Sequence, residues 1–554
     1  MYRQRLLSFS LKSHKMLKDK SIWFWLIFIF VFCIFLTVFN LKYNLPRFLT
    51  FSDAAKFADI ARNLVNGRGF TASFSFFGPS IFSSINTGFY SARGIPVFTP
   101  FIISMFYRLV GVTDLAVIIT SLIFFVLTML FSFLLAKSIF KNNLVALLST
   151  LAIGTNYDLI NYAASGASES PFIFEILSTL YFISLRKRWA SVVAVLILIA
   201  MYLTRPQSFI YIAGAILFWL LINYKTKKAF IWFGILSFLA VIVDKLLIPI
   251  LPQNIFLISI FARGQNSLSQ YLPSVSVSNA LRGGSMSASV LAIAKKVFYN
   301  LYNFYKLLPQ ILNPYLFLLF VIGVFRWSKN KTETAFKISA LFMIVVTVGV
   351  TAISIPFYRY IHPVAPLIYL MAIETLVWIV GLITKNRSIP LIATILVLCL
   401  VVGQTVGIIF LDSRFNSNRF NLKSPPAYVK LAWILKDNTA SDQKVLTNLD
   451  TWASWYGERS SVWFPIEPKQ IINPSTGTIP FDVIYLTDYL IDDPNYDMGD
   501  DWHQIFDNPS DPKKWKCESC QEIAKEFKFK NSYKVVWNDD YEKSDFKSIL
   551  LVKK

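Results

Sequence analysis

The sequence predicts an α-helical polytopic membrane protein with a small α+β domain at its C-terminus, and three observations carry that prediction. Apolar stretches of about 17–25 residues, each able to cross a hydrocarbon core of roughly 30 Å, recur along the first three quarters of the chain. Only 16% of the 554 residues are charged while 55% are hydrophobic, whereas soluble globular domains carry about 25% charged residues. Near residue 412 the apolar stretches stop, and most of the chain's acids lie beyond that point.

The elements follow in order. Residues 1–21 are a basic N-terminus carrying Arg3, Arg5, Lys12, Lys15, Lys18 and Lys20. The first apolar stretch, 22–41, contains no charge and lacks an A-x-A-like exit, so it reads as a retained helix and not a cleaved signal. About eleven spans are expected within a transmembrane module of 22–411. They lie near 22–41, 114–136, 143–160, 170–185, 189–204, 207–224, 229–248, 309–325, 338–355, 364–383 and 389–411.

Alternate connections are basic. The N-terminus, Lys137 with Lys141, Arg186-Lys187-Arg188, Lys225 to Lys228, Arg326 to Lys337, and Lys385 with Arg387 share one phase. Short basic loops stay cytoplasmic, which predicts a multi-pass protein of the plasma or inner membrane with a cytoplasmic N-terminus. The opposite, extracytoplasmic phase receives loop 42–113, the turns around Asp158–Glu169 and Arg205, loop 249–308, the turn 358–362, and the tail. Topology thereby accounts for the net charge of +22, and nucleic acid is not an expected partner. Energy on that side must arrive in a membrane-carried substrate or a gradient, or not at all, because cytosolic nucleotides do not reach it.

The tail, 412–554, opens on Pro425-Pro426. A helical pattern through Tyr428, Leu431, Ile434 and Leu435 follows, then short β-like runs at 444–448, 482–486, 534–537 and 549–552 separated by turn residues. Cys517 and Cys520 form a C-x-x-C where thiols tend to oxidise, which favours a local disulfide. A zinc site would need two more ligands that no spacing supplies, and a thioredoxin-like motif lacks its βαβ setting. Cys33 and Cys399 read as small apolar residues of the spans.

Residues 51–70, FSDAAKFADIARNLVNGRGF, show where chemistry is to be sought. Ala55, Ala58, Ala61 or Arg62, and Val65 follow helical spacing, with Ser52 placed to cap and Gly67 and Gly69 to stop. This predicts a short amphipathic helix along the outer interface, with Asp53 in its first turn. A carboxylate there is favoured by the helix dipole, and from the pattern alone such an Asp is more often a dipole partner than a base.

The pattern Ser-Asp, then Ile-Ala-Arg-Asn-Leu-x-x-Gly-x-Gly-Phe, placed after one span, resembles the first external loop of GT-C glycosyltransferases. It is most similar to the branch of protein O-mannosyltransferases and the lipid A aminoarabinose transferase, glycosyltransferase family 39. Residues 96–111 (PVFTPFIISMFYRLVG) resemble the family's Pro-rich approach to the second span. Ser168-Glu169-Ser170-Pro171-Phe172, Leu203-Thr204-Arg205-Pro206 and Tyr358-Arg359-Tyr360-Ile361-His362-Pro363 are similar to further family motifs in the same order. The resemblance covers roughly 20–410.

The resemblance implies inverting sugar transfer from a polyprenyl-phosphate-linked donor lipid to an extracytoplasmic glycan, lipid or protein acceptor. It assigns Asp53 as the catalytic base and Arg205, Arg359 and Tyr358 to the donor phosphate. Glu169 matches a second-loop acid that orients the acceptor or a metal; a carboxylate capping the following span is the equal alternative. Relatives carry a second acid after the first-loop Asp, where this chain has Ala54. No metal ligand is therefore assigned, no cofactor is called for, and a divalent metal stays an open question.

Arg263, Arg282, Lys295 and Lys296 lie in loop 249–308, which is expected either to close over substrate or to meet lipid headgroups. Glu175 and Glu374 fall inside spans, where ionisable groups face a bundle interior or a cavity. Asp158 reads as a site residue or a span end, and His362 as a turn residue. A polyisoprenoid-lipid transporter or flippase is one rival function, against which the absence of paired repeats counts. A non-catalytic envelope assembly protein is the other.

Overall fold

The computed structural model describes residues 19–43, 47–78, 81–92, 95–247, 290–326, 328, 330–353, 357–384, 388–411, 425–465, 467–489, 498–538 and 543–554. Its first part is a helical bundle. The helices are α1 (Asp19–Tyr43), α2 (Ser52–Val65), α3 (Phe98–Val110), α4 (Asp114–Phe140), α5 (Asn143–Gly154), α6 (Tyr157–Ser165), α7 (Glu169–Ser184) and α8 (Arg188–Thr204). They continue with α9 (Ser208–Asn223), α10 (Thr226–Leu247), α11 (Val290–Lys306), α12 (Pro314–Val324), α13 (Lys331–Ile353), α14 (Ala365–Ile383) and α15 (Ile389–Phe410). Among the described residues five helical stretches are long and apolar enough to cross a membrane, and five shorter apolar helices accompany them. This is a multi-pass membrane protein.

Local chemistry explains where the helices depart from the expected spans. The span expected at 143–160 breaks after Gly154 because Asn156 caps a new helix, its side chain accepting from the Leu159 amide. The span expected at 309–325 starts later, at Pro314, because Asn313 accepts from the Tyr315 and Leu316 amides. Residues 96–111, expected as the approach to the second span, form a helix of their own. Gly111, at φ 89°, ends it in a conformation that L side chains avoid. Within the expected loop 249–308, residues 290–306 are helical.

Close packing replaces lipid between the helices. A Cβ on Gly154 would stand 2.6 Å from Met129 Sδ and 2.7 Å from Cys33 Sγ, so α1, α4 and α5 meet over a residue with no side chain. At one end of the bundle Arg186 donates to Thr332 Oγ1 (2.9 Å) and Asn330 to the Ile139 carbonyl (3.4 Å), gathering three of the basic connections. Glu374 joins that end through ion pairs with Arg326 and Lys337. Glu175, which lies within α7, accepts from Thr204 Oγ1 at 2.7 Å.

The opposite end carries the tail. A helix α16 (Ala427–Asn438) packs beside a six-stranded sheet of β1 (Phe74–Phe76), β2 (Lys444–Thr447), β3 (Ser460–Trp463), β4 (Val483–Thr487), β5 (Phe527–Asn538) and β6 (Lys543–Lys553). Strand order is β1-β3-β2-β4-β6-β5. The first four strands are parallel, and the last two join antiparallel. Strand β1 comes from the loop after α1: Phe74 pairs with Ser461 and Phe76 with Trp463. One apolar core therefore unites the two parts, with Ala54, Ala58, Ile103 and Val117 packed among Tyr428, Leu431, Trp452 and Trp455. Cys517 and Cys520 are bonded to each other at the start of the helix Glu518–Glu526.

Candidate active site

Four residues from four separate connections meet at the tail-bearing end. Asp53 is in the first turn of α2, where the dipole favours a carboxylate. Phe51 is the cap residue, so Ser52 lies inside the helix and not at its cap. The apolar face of α2 is also not at an outer interface: Ala54, Ala55, Ala58 and Ala61 are fully buried in protein. Glu169 begins α7, Arg205 ends α8 with extended backbone, and Arg359 sits in the 3₁₀ turn Tyr358–Tyr360 that leads into α14.

Arg359 is the hub. Its Nη2 donates to Asp53 Oδ2 at 2.9 Å, and its Nε donates to Glu169 Oε1. Arg205 Nη1 reaches the same Glu169 oxygen at 2.5 Å and Ser168 Oγ at 3.1 Å. Glu169 is fully buried, Arg205 is 7% exposed and Asp53 is 51% exposed, so the cluster runs from a sealed ion pair to an open carboxylate. Two guanidiniums balance two carboxylates. Aromatic faces flank both cations: Phe51 lies 4.7 Å from Arg359, while Tyr360 and Phe172 lie 5.8 and 5.9 Å from Arg205.

The tail holds this site from outside. Thr451 Oγ1 donates to the Ser52 carbonyl at 2.8 Å, and Arg62 Nη2 to the Ser454 carbonyl at 3.0 Å. Arg62 is itself fixed by Asp59, whose other oxygen takes the Ser73 amide at 2.6 Å. Below, Asp114 accepts from Trp455 Nε1 and Tyr456 Oη, both at 2.8 Å.

Asp53, Glu169, Arg205 and Arg359 are thus brought together. Tyr358 adjoins them in sequence, but its ring stands edge-on to His362 (5.6 Å) and outside the ion pairs. Lys295 is exposed on α11 and makes no ion pair with the cluster's carboxylates; Arg263 and Arg282 lie outside the described residues. His362 is more than a turn residue: it is fully buried, shares a hydrogen bond with Tyr162 Oη through Nδ1, and brings Nε2 to 3.4 Å from Asp158 Oδ2. Burial pushes the Asp158 carboxyl up to about 7.

Sequence reasoning did not place Phe51 or Thr451 here. Phe51 directly precedes the Ser-Asp pair, a signal that was available; Thr451 carries none. The donor set does not suit a metal, because Arg359 stands between the two acids and Ala54 follows Asp53. Among the described residues no three His, Cys, Asp or Glu side chains gather as ligands.

Residues 95–248 match the model of the dolichyl-phosphate-mannose-protein mannosyltransferase family, a stretch that includes Glu169 and Arg205 but neither Asp53 nor Arg359. No curated protein matches the chain significantly by sequence. Among solved structures the chain is similar to the apo oligosaccharyltransferase of Archaeoglobus fulgidus, at 12% identity and a TM-score of 0.51, covering 83% of this chain and 69% of that one. It is similar to AglB, the archaeal oligosaccharyltransferase of A. fulgidus in complex with an inhibitory peptide and a dolichol-phosphate (11%, 0.52, 94% and 74%). ArnT from Cupriavidus metallidurans bound to undecaprenyl phosphate is a third (13%, 0.50, 95% and 97%). At these identities the likeness is one of fold.

Proposed function

From a chain with the fold of the GT-C membrane glycosyltransferases, we propose a transferase that moves a sugar from a polyprenyl-phosphate carrier to a hydroxyl-bearing acceptor. The carrier is a lipid of the dolichol or undecaprenyl kind. The reaction takes place on the extracytoplasmic side of the plasma or inner membrane, where the tail resides, with the N-terminus in the cytoplasm. One observation carries this reading: the arginine that bridges an exposed carboxylate to a buried, charge-paired one, at the end of the bundle opposite the clustered basic turns.

The acceptor oxygen attacks the anomeric carbon as the bond from that carbon to the phosphate oxygen breaks. Asp53, open to solvent and on a rigid helix, takes the acceptor's proton. The polyprenyl phosphate leaves as an anion, so it needs cations more than an acid. Arg359 supplies one, exchanging its contact with Asp53 for the phosphate and thereby releasing the base. Glu169 and Arg205 hold Arg359 in place. Attack opposite the leaving group inverts the anomeric centre.

The test is turnover of undecaprenyl-phosphate-linked hexoses and pentoses by the protein in lipid nanodiscs, for wild type and Asp53→Asn. Base catalysis predicts a loss of about 10²–10⁴-fold with binding of the lipid retained. Equal behaviour of the two proteins on every donor would remove the catalytic assignment and favour a carrier or scaffold.

A further inference from the structure

A cavity of 330 Å³ is bounded by α6, the cap of α12, α14 with the turn Tyr358–Tyr360 that leads into it, and α15, the last helix of the bundle. Its size is within the roughly 300–1,000 Å³ of small-molecule sites. Its described walls include Asp158, Asn161, Asn313, Tyr358, Tyr369 and Gln404 and contain no Lys or Arg. Asp158 is the one carboxylate among them. A phosphate would meet that carboxylate with no cation to hold it, and a prenyl tail would strand the amides without partners. The chemistry that suits these walls is a neutral ring bearing several hydroxyl groups.

The hydrogen bonds of the walls show which groups stay available. Asn313 Oδ1 is committed to the Tyr315 and Leu316 amides at 3.1 Å, so its Nδ2 must donate, and it does so to the Leu400 carbonyl (2.7 Å) and Gln404 Oε1 (2.5 Å). That orients Gln404 and leaves its Nε2 without a partner among the described residues. Asn161 Oδ1 likewise accepts from Asn40 Nδ2 at 2.7 Å, leaving Asn161 Nδ2 without a partner among the described residues. Two amide donors, the Asp158 carboxylate and the Tyr358 hydroxyl therefore surround one cavity.

The walls are also fixed in place. Tyr369 Oη receives Asn156 Nδ2 (2.9 Å) and the Asn313 amide (3.2 Å). Alongside, α15 makes a π-helical turn at Leu398–Val402, which carries Val401 on the cavity wall; such turns often occur at functional sites. Tyr358 lines the cavity, and the next residue, Arg359, holds Asp53 and Glu169.

We propose that this cavity seats the sugar ring of the lipid-linked donor, a hexose or pentose, with Asn161, Gln404, Asp158 and Tyr358 as the groups that select it. This rests on the transferase reading. It divides the labour between two neighbouring places: Arg359 takes the phosphate, and the uncharged amides take the hydroxyl groups.

The test compares lipid binding with and without the sugar. Wild type, Asn161→Leu and Gln404→Leu, each in nanodiscs and checked for unchanged thermal unfolding, are titrated with bare undecaprenyl phosphate. The same proteins are titrated with undecaprenyl-phosphate-linked glucose, galactose, mannose and arabinose. Loss of one hydrogen bond to a sugar hydroxyl weakens binding by about tenfold. The expected result is that loss for the sugar lipid wild type prefers, with affinity for the bare lipid unchanged. Equal loss for both lipids, or none for either while wild type still turns the sugar lipid over, overturns the cavity assignment and leaves the transferase reading standing. A wild type that binds none of these lipids overturns both.

Discussion

Arg359 Nη2 stands 2.9 Å from Asp53 Oδ2, a contact between residues 306 positions apart, while Nε of the same guanidinium holds the buried Glu169. One cation is shared between a solvent-facing acid and a sealed one. Lysine keeps the charge but lacks the fork that reaches both. Arg359→Lys is expected to lower turnover of a lipid-linked sugar by about 10²-fold, an electrostatic loss of the kind seen when one aligned donor is removed. Steady-state rates in nanodiscs measure it; activity within twofold of wild type would show that the fork is dispensable.

Glu169 is fully buried between two arginines. Removing one member of a buried ion pair costs about 3–5 kcal/mol, because the partner's charge is left uncompensated. Glu169→Gln and Arg205→Met should each lower the unfolding temperature in nanodiscs by several degrees. The double variant should lose less than the sum of the two, since the second change relieves the orphan left by the first.

Asp158 has a carboxyl raised from an ordinary value of 3.8 to about 7 by burial. The folded protein therefore binds this proton more tightly than the unfolded chain. The stability so gained is complete below about pH 4 and is lost as pH rises through about 7. Wild type should lose more of its unfolding temperature between pH 5.5 and pH 8 than Asp158→Asn, which does not titrate. Parallel curves for the two proteins would place the titration elsewhere; His362 Nε2 lies 3.4 Å from the carboxylate, and Tyr162, Tyr358 and Tyr369 also face it.

Asp114 takes hydrogen bonds from both Trp455 and Tyr456, and so ties the start of α4 to the tail. Asp114→Ala leaves two donors unpaired, at about 1–3 kcal/mol each. The tail should become several-fold more sensitive to limited proteolysis. Turnover should fall with it, because the neighbouring Thr451 steadies the carbonyl of Ser52 beside Asp53. Unchanged proteolysis would show that the apolar core alone secures the tail.

What was legible in the sequence follows from the length scale of each signal. Uninterrupted apolar runs such as 114–136 and 389–411 declare themselves, because crossing a bilayer demands some twenty residues of one kind. Glu169, Arg205 and Arg359 were singled out by the family-like motifs in which they stand, and the charge alternation added only that all three fall on one side. The break at Thr155–Asn156 was not, since a single capping side chain decides it within an apolar run. Strand β1 was hidden for a different reason: Phe-Ser-Phe is too short to show a period, and its partner lies in another part of the chain. The wiring of the cavity walls, set by which way Asn313 must point, requires coordinates.

Thr451 and Ser52, joined by a hydrogen bond, are 399 residues apart. At a synthesis rate of about 5–20 residues per second, the second partner leaves the ribosome roughly 20–80 s after the first. Through that interval β1 has no neighbouring strand and the first turn of α2 lacks its anchor, although the helix bearing Asp53 has already been made. The site is therefore complete only once residue 451 has been made and has folded against the first turn of α2. A chain cut short before residue 451 would insert its helices yet hold an unfinished site.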